Sequence, residues 1–117
     1  MRHLIIINDA PYGTEKAYNG LRLAMSIQRE MPDDEVWVFL MADAVGCALP
    51  GQDTPDGYYN IERMLKGVLA KGGQVKACGT CAKARGMWDL TLIEGVERST
   101  MKELTEWEGT SDRVVTF

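Results

Sequence analysis

Two short runs of branched and aromatic apolar residues, Leu4-Ile5-Ile6-Ile7 and Val36-Trp37-Val38-Phe39-Leu40-Met41, constrain this chain more than any other feature. A strand with one wet face alternates apolar and polar residues, and neither run does. Each therefore reads as a strand covered on both faces, the arrangement of a parallel sheet with helices above and below. The runs close on Asn8-Asp9 and on Ala42-Asp43.

Helical patterns fill the spaces between such strands. Thr14 is placed to cap a first helix carrying Ala17, Leu21, Ala24, Met25 and Gln28 on one face and ending before Pro32. Asn60 is placed to cap a second, whose Ile61, Met64, Leu65, Val68 and Leu69 follow the i, i+3, i+4, i+7, i+8 template, with Gly72-Gly73 as its stop. The pattern then predicts a strand over 74–77, a short helix over 78–85 closed by Gly86, and a strand within 91–96. Thr100 and Glu103 form a capping box for a last helix bearing Met101, Leu104 and Trp107 up to Gly109, and 114–117 is a terminal strand. Residues 50–60, with two prolines, two glycines and two tyrosines, predict a long exposed excursion. The whole reads as one α/β domain over 1–117, built on a mainly parallel sheet.

Composition excludes several function classes. A formal charge of −4 and a pI near 5.0 argue against a phosphate-backbone binder, which needs a dense excess of cations. No apolar stretch approaches the roughly 20 residues of a membrane helix, and the N-terminal stretch lacks a signal-peptide core. The expectation is a cytoplasmic protein with neither nucleic acid nor membrane as a partner. No two glycines are separated by a single residue, so a dinucleotide fingerprint cannot be written, and no serine nucleophile elbow is present.

The three cysteines, Cys47, Cys78 and Cys81, cannot all pair within one chain, so a secreted disulfide framework is excluded. Cys78-Gly79-Thr80-Cys81 falls where a predicted strand ends and a helix begins. In parallel sheets this carboxyl edge is the working surface. Free amide groups at a helix start favour a thiolate, so the Cys78 thiol is expected to ionise below the ordinary value of about 8.5, with Lys76, Lys83 and Arg85 near in sequence to assist. Cys81, one turn on, can reach back toward it. The alternative is a pair of small buried hydrophobes. Zinc is disfavoured, because a closed site takes about four ligands and only Cys47 and His3 remain, with His3 roughly 15 to 20 Å away at the other end of the first strand. No metal or cofactor is expected. A thioredoxin-like dithiol site has the same spacing, but all four prolines precede Cys78 and Cys81. Cys47 also falls on the carboxyl edge, where it can approach Cys78 or belong to an apolar segment, 44–49, packed on the core or on a neighbouring subunit. Residues 9–13 read as a turn or an anion-lining loop, and Tyr58, Tyr59 and Trp88 as loop anchors or pocket aromatics.

In order and spacing, Asn8-Asp9-Ala10-Pro11-Tyr12-Gly13, Phe39-Leu40-Met41-Ala42-Asp43-Ala44-Val45, Gly57-Tyr58 with Asn60-Ile61, Cys78-Gly79-Thr80-Cys81 with Arg85-Gly86, and Leu92-Ile93-Glu94-Gly95-Val96-Glu97 are specific. The chain resembles the DsrE-like (DsrE/DsrF) sulfur-transfer family, in its YchN-type branch, over essentially its whole length. The resemblance implies a three-layer α/β/α sandwich whose five-stranded, mostly parallel sheet is ordered 4-3-2-1-5, and a ring-like homohexamer. It also implies sulfur relay or reduction, with a persulfide carried at Cys78, received from a donor protein and passed to an acceptor. Cys81 then acts as a modulator or resolving thiol, since attack on a persulfide is a form of thiol exchange. Whether such a protein is itself an enzyme, a sulfurtransferase or a sulfur reductase, stays open. Two other readings stand beside it: a non-catalytic oligomeric partner or scaffold, and a dithiol oxidoreductase using Cys78 and Cys81.

Overall fold

The computed structural model describes residues 1–117. Five strands, β1 (Arg2–Ile7), β2 (Glu35–Leu40), β3 (Gln74–Cys78), β4 (Val96–Ser99) and β5 (Arg113–Thr116), form one sheet in the order β4-β3-β2-β1-β5. Every neighbouring pair is parallel. Burial on both faces explains the two apolar runs: Leu4, Ile5 and Ile7 of β1, and Val38, Phe39 and Leu40 of β2, are all at most 1% exposed.

Helices α1 (Lys16–Glu30) and α2 (Ile61–Ala70) pack against each other over one face of the sheet. Their buried residues, Ala17, Leu21, Ala24 and Ile27 on α1 and Ile61, Leu65 and Val68 on α2, recur at helical spacing. Gly20 is what lets α1 approach so closely: a Cβ there would stand 3.0 Å from Ile7 Cδ1 and 3.2 Å from Phe117 Cδ1. The other face is covered by α4 (Met101–Thr110), whose Trp107 lies 4.5 Å from Trp37 and 6.0 Å, edge-on, from Phe39. The carboxyl edge of β2 and β3 carries a 3-10 segment (Ala42–Ala48) and the short helix α3 (Gly79–Ala84). The implied three-layer sandwich and strand order are thus present.

Local signals held where the backbone needed them. The Asn60 side chain accepts from the Arg63 amide at 3.0 Å, and α2 ends in Gly72-Gly73, whose amides donate to Leu69 and Val68 carbonyls at 3.0 and 2.9 Å. Gly72 has φ +86°, the left-handed turn that ends many helices, and a Cβ on Gly73 would fall 2.7 Å from the Val68 oxygen.

Three expectations are corrected. Thr14 is one residue short of the cap position, which Glu15 takes; its hydroxyl accepts the Lys16 amide at a long 3.4 Å and donates to Asp9 at 2.8 Å, tying down the preceding loop. The fourth strand is Val96–Ser99 rather than within 91–96, because Gly95, at φ +99°, turns the chain into the sheet only there. The capping box is half made: Thr100 accepts from the Glu103 amide at 3.2 Å, but the Glu103 carboxylate pairs with Lys76. No helix is long and apolar enough to cross a membrane.

Candidate functional site

Cys78 is both the last residue of β3 and the residue that caps α3, so the strand turns into the helix without a loop. Its Sγ accepts the Cys81 amide at 3.3 Å, and the Cys81 thiol is its neighbour. The sequence-derived pair is therefore brought together. All three cysteines are free thiols.

Gly79 makes this turn feasible. A Cβ on it would meet the Ser99 carbonyl oxygen at 3.1 Å and Trp88 Cζ3 at 3.6 Å. Trp88 is itself about half exposed, with Lys83 Nζ 5.8 Å from its ring centroid, and it lies beside Gly79 at the start of α3. Cys78 is only 7% exposed while Cys81 is half-buried.

That burial overturns the expected ionisation. Removal from water disfavours the thiolate and is the leading cause of a Cys78 pKa raised above the ordinary thiol value; the neighbouring Cys81 thiol pushes the same way. The Cys81 and Thr80 amides oppose the rise but do not overcome it. The three nearby cations do not help, because each is engaged elsewhere. Lys76 pairs with Glu103 and lies 4.8 Å from the Trp107 ring centroid, and Lys83 faces Trp88. Arg85 bonds Asp43 at 2.9 Å and the Cys81 carbonyl at 3.1 Å. With only six residues, α3 supplies a short stack of peptide dipoles. At neutral pH the resting Cys78 is a covered, neutral thiol.

The burial of Cys78 gives a direct expectation. Iodoacetamide should label Cys78 slowly, at a rate that climbs only as pH passes above the ordinary thiol range, and Trp88→Ala should accelerate labelling several-fold at any fixed pH. Peptide-resolved mass spectrometry reads both; equal rates in the two proteins would mean that Trp88 does not control access.

The remaining candidates separate clearly. Cys47 sits in the 3-10 segment, fully buried, with its thiol pushed up to about 12 by burial, so it is core. His3 lies at the opposite end of the sheet, where its Nε2 is 2.8 Å from Asp34, which also holds the N-terminal ammonium at 2.8 Å. The largest cavity, about 620 Å³ between α1 and β5 and lined by Ile5, Leu23, Ile27 and Val115 among others, is at that end too. No cluster of three or more His, Cys, Asp or Glu is placed to hold a metal.

The loop before α1 works as an anchor. The Tyr12 hydroxyl donates to Gln52 at 2.7 Å and accepts the Ile61 amide at 3.1 Å, and its ring stacks on Tyr59, which stacks in turn on Tyr18 and Tyr58. Gln52 was not singled out by sequence, yet it ties the 50–60 excursion to the 3-10 segment and α2 through contacts with Cys47, Leu49, Asn60 and Glu62. No local pattern marks it, since its partners come from three segments. Ser99 was likewise missed; it is the register partner of Cys78 across β3 and β4. Ala42, the one non-glycine residue at positive φ (+50°), lies at the carboxyl end of β2, where such strain gathers near sites.

Comparisons with known proteins agree over the full length. The DsrE/DsrF-like family profile matches residues 1–117. Protein YchN of Escherichia coli is 43% identical over 114 residues, covering 97% of each chain. An uncharacterized protein of Methanocaldococcus jannaschii is 41% identical over 117 residues, all of both chains. The crystal structure of the E. coli YchN protein superposes with a TM-score of 0.93 at 42% identity over the whole of both chains. A protein of unknown function from Methanobacterium thermoautotrophicum, at 16% identity, shares the fold with a TM-score of 0.73 over 99% of this chain and 98% of its own.

Proposed function

Since this chain belongs to the DsrE/DsrF-like family, which is associated with sulfur relay, we propose that it carries sulfane sulfur as a persulfide on Cys78. The observation that supports this most is the placement of Cys78 at the carboxyl edge, with a second thiol in contact and amide donors on its sulfur. Loading conserves electrons. The Cys78 thiolate attacks the outer sulfur of a donor persulfide, the donor's S–S bond breaks, and the donor departs as a thiolate. Passing the sulfur on is the same step, with the acceptor thiolate attacking the outer sulfur on Cys78.

A covered neutral thiol suits a carrier that must not react with every oxidant. Activation then belongs to docking. A donor protein that uncovers the sulfur relieves the main cause of its raised pKa, leaving the Cys81 and Thr80 amides to stabilise the thiolate.

The contact with Cys81 adds a second outcome. Its thiolate can attack Cys78 Sγ, expelling hydrosulfide and leaving a Cys78–Cys81 disulfide, which a dithiol reductant must reset with two electrons. Carrier and sulfur reductase are thus two fates of one persulfide. Assembly as a ring-like homohexamer belongs to the same proposal; both faces of β5 are wet, with Val114 and Val115 each about 40% exposed, and such an edge calls for a partner. Native mass spectrometry reads the subunit number.

The burial of Cys78 favours a competing reading, a non-catalytic oligomeric partner. Loading separates the two. After incubation with sodium polysulfide, digestion and mass mapping should find one added sulfur on the peptide containing Cys78, or a Cys78–Cys81 disulfide with released sulfide. An unmodified peptide, or sulfur added without preference among the three cysteines, defeats the carrier.

A further inference from the structure

Ser99 is 5% exposed, and its Oγ has no hydrogen-bond partner. A buried hydroxyl left unpaired carries a desolvation penalty, so its retention asks for a reason. Its position supplies one. As the last residue of β4, Ser99 is in register with Cys78, the last residue of β3. Register partners on adjacent parallel strands project from the same face, with strand axes about 4.8 Å apart. On that face Lys76 and Glu103 form an ion pair, and the Ser99 hydroxyl lies near enough to help hold the Glu103 carboxyl low without making a normally shaped bond.

Ser99 does not hydrogen-bond Cys78 Sγ, whose partner is the Cys81 amide. A persulfide places a second sulfur one bond, roughly 2 Å, beyond Sγ. We infer that Ser99 is a positioning residue whose free hydroxyl donates a hydrogen bond to the outer sulfur of a Cys78 persulfide, holding it on the α4 face of the sheet between β3 and β4. The inference rests on the carrier reading and deepens it, because it names the group that receives the cargo. In the resting protein the hydroxyl makes no regular hydrogen bond and only leans on the Glu103 carboxyl; loading supplies an acceptor beside it. Transfer to an outside thiolate releases the hydroxyl again, with no net proton or electron taken by Ser99.

Stability and sulfur retention should therefore move independently. Because the hydroxyl makes no regular hydrogen bond, Ser99→Ala is expected to leave the Tm within about 3 °C of wild type. Removing a donor to an anionic sulfur is expected to weaken retention about tenfold. The experiment loads wild type, Ser99→Ala and Ser99→Thr with sodium polysulfide and titrates each with glutathione, reading sulfur on the Cys78 peptide by mass. Ser99→Ala should lose half its sulfur at about one tenth of the wild-type glutathione concentration, and Ser99→Thr should stay within about threefold of wild type. The pH profile of Cys78 alkylation in the unloaded proteins should be the same in all three, since the hydroxyl does not touch Sγ.

Equal retention by wild type and Ser99→Ala overturns the inference, as does equal loss in Ser99→Ala and Ser99→Thr, which would mark a packing role. Ser99→Gly replaces the alanine variant if that fails to fold. Failure of the carrier reading shows separately, as absence of added sulfur in wild type, and takes the inference with it.

Discussion

Cys78→Ser is expected to abolish sulfur loading while leaving the fold intact. The hydroxyl that replaces the thiol can still accept the Cys81 amide, which Sγ now accepts at 3.3 Å, and the substituted side chain is neutral and of similar shape. Stability should change by about 1 kcal/mol or less, the scale of one altered hydrogen bond. A serine oxygen cannot form a persulfide at all, so the loss of function is complete. Cys81→Ser should act in the opposite sense. The resolving attack on Cys78 Sγ disappears, hydrosulfide release stops, and the persulfide accumulates. Three readouts on the same samples check this: added sulfur at the Cys78 peptide, released sulfide, and the urea midpoint. Undiminished loading of Cys78→Ser would move the site elsewhere. Sulfide release by Cys81→Ser at the wild-type rate would remove the resolving role but leave the carrier standing.

Trp107→Ala should produce the largest loss of stability of any single substitution considered. Helix α4 has two buried residues, Leu104 and Trp107, so one indole supplies most of its anchorage. That ring is 7% exposed and packed 4.5 Å from Trp37 and 6.0 Å from Phe39, with Lys76 Nζ 4.8 Å from its centroid. Deleting such a ring costs about 3–5 kcal/mol, a large share of the 5–15 kcal/mol by which small domains are stable. Loosening α4 also frees Glu103 from Lys76 and opens the sheet face beside Cys78 and Ser99. Urea unfolding measures the first effect and alkylation of Cys78 in native buffer the second. Trp107→Phe, which keeps a ring against Trp37, should recover a good part of the loss. A Trp107→Ala penalty under about 1 kcal/mol would show that α4 is held by something else.

Much of the architecture was legible because its signals are local. The runs at Leu4–Ile7 and Val36–Met41, the helical stripes, Asn60 as a cap and Gly72-Gly73 as a stop each depend on residues within a few positions of one another. The failures were local too, and only one was settled by a remote partner. Thr14 was shared with Asp9 one residue short of the cap, β4 had to wait for the turn at Gly95, and Glu103 was drawn from its own helix cap to Lys76 on β3. The strand order came from the family likeness, since adjacency in a parallel sheet leaves little trace in the residues themselves.

The site divides along the same line. Residue order alone put a cysteine at the exit of a strand, with a second thiol one helical turn later, and chain connectivity guarantees that much wherever the strand lies. The charge state of that cysteine was not deducible. Ionisation of a thiol depends on the water removed by every atom around it, and the segments that meet near Cys78 are distant in sequence: Trp88 lies against Gly79, and β4 pairs beside β3 with Ser99 in register. Lys76, Lys83 and Arg85, close in sequence, found other partners in space. Proximity along the chain determined which groups stand near the sulfur, and packing between distant segments decided that it is neutral, buried and in register with Ser99.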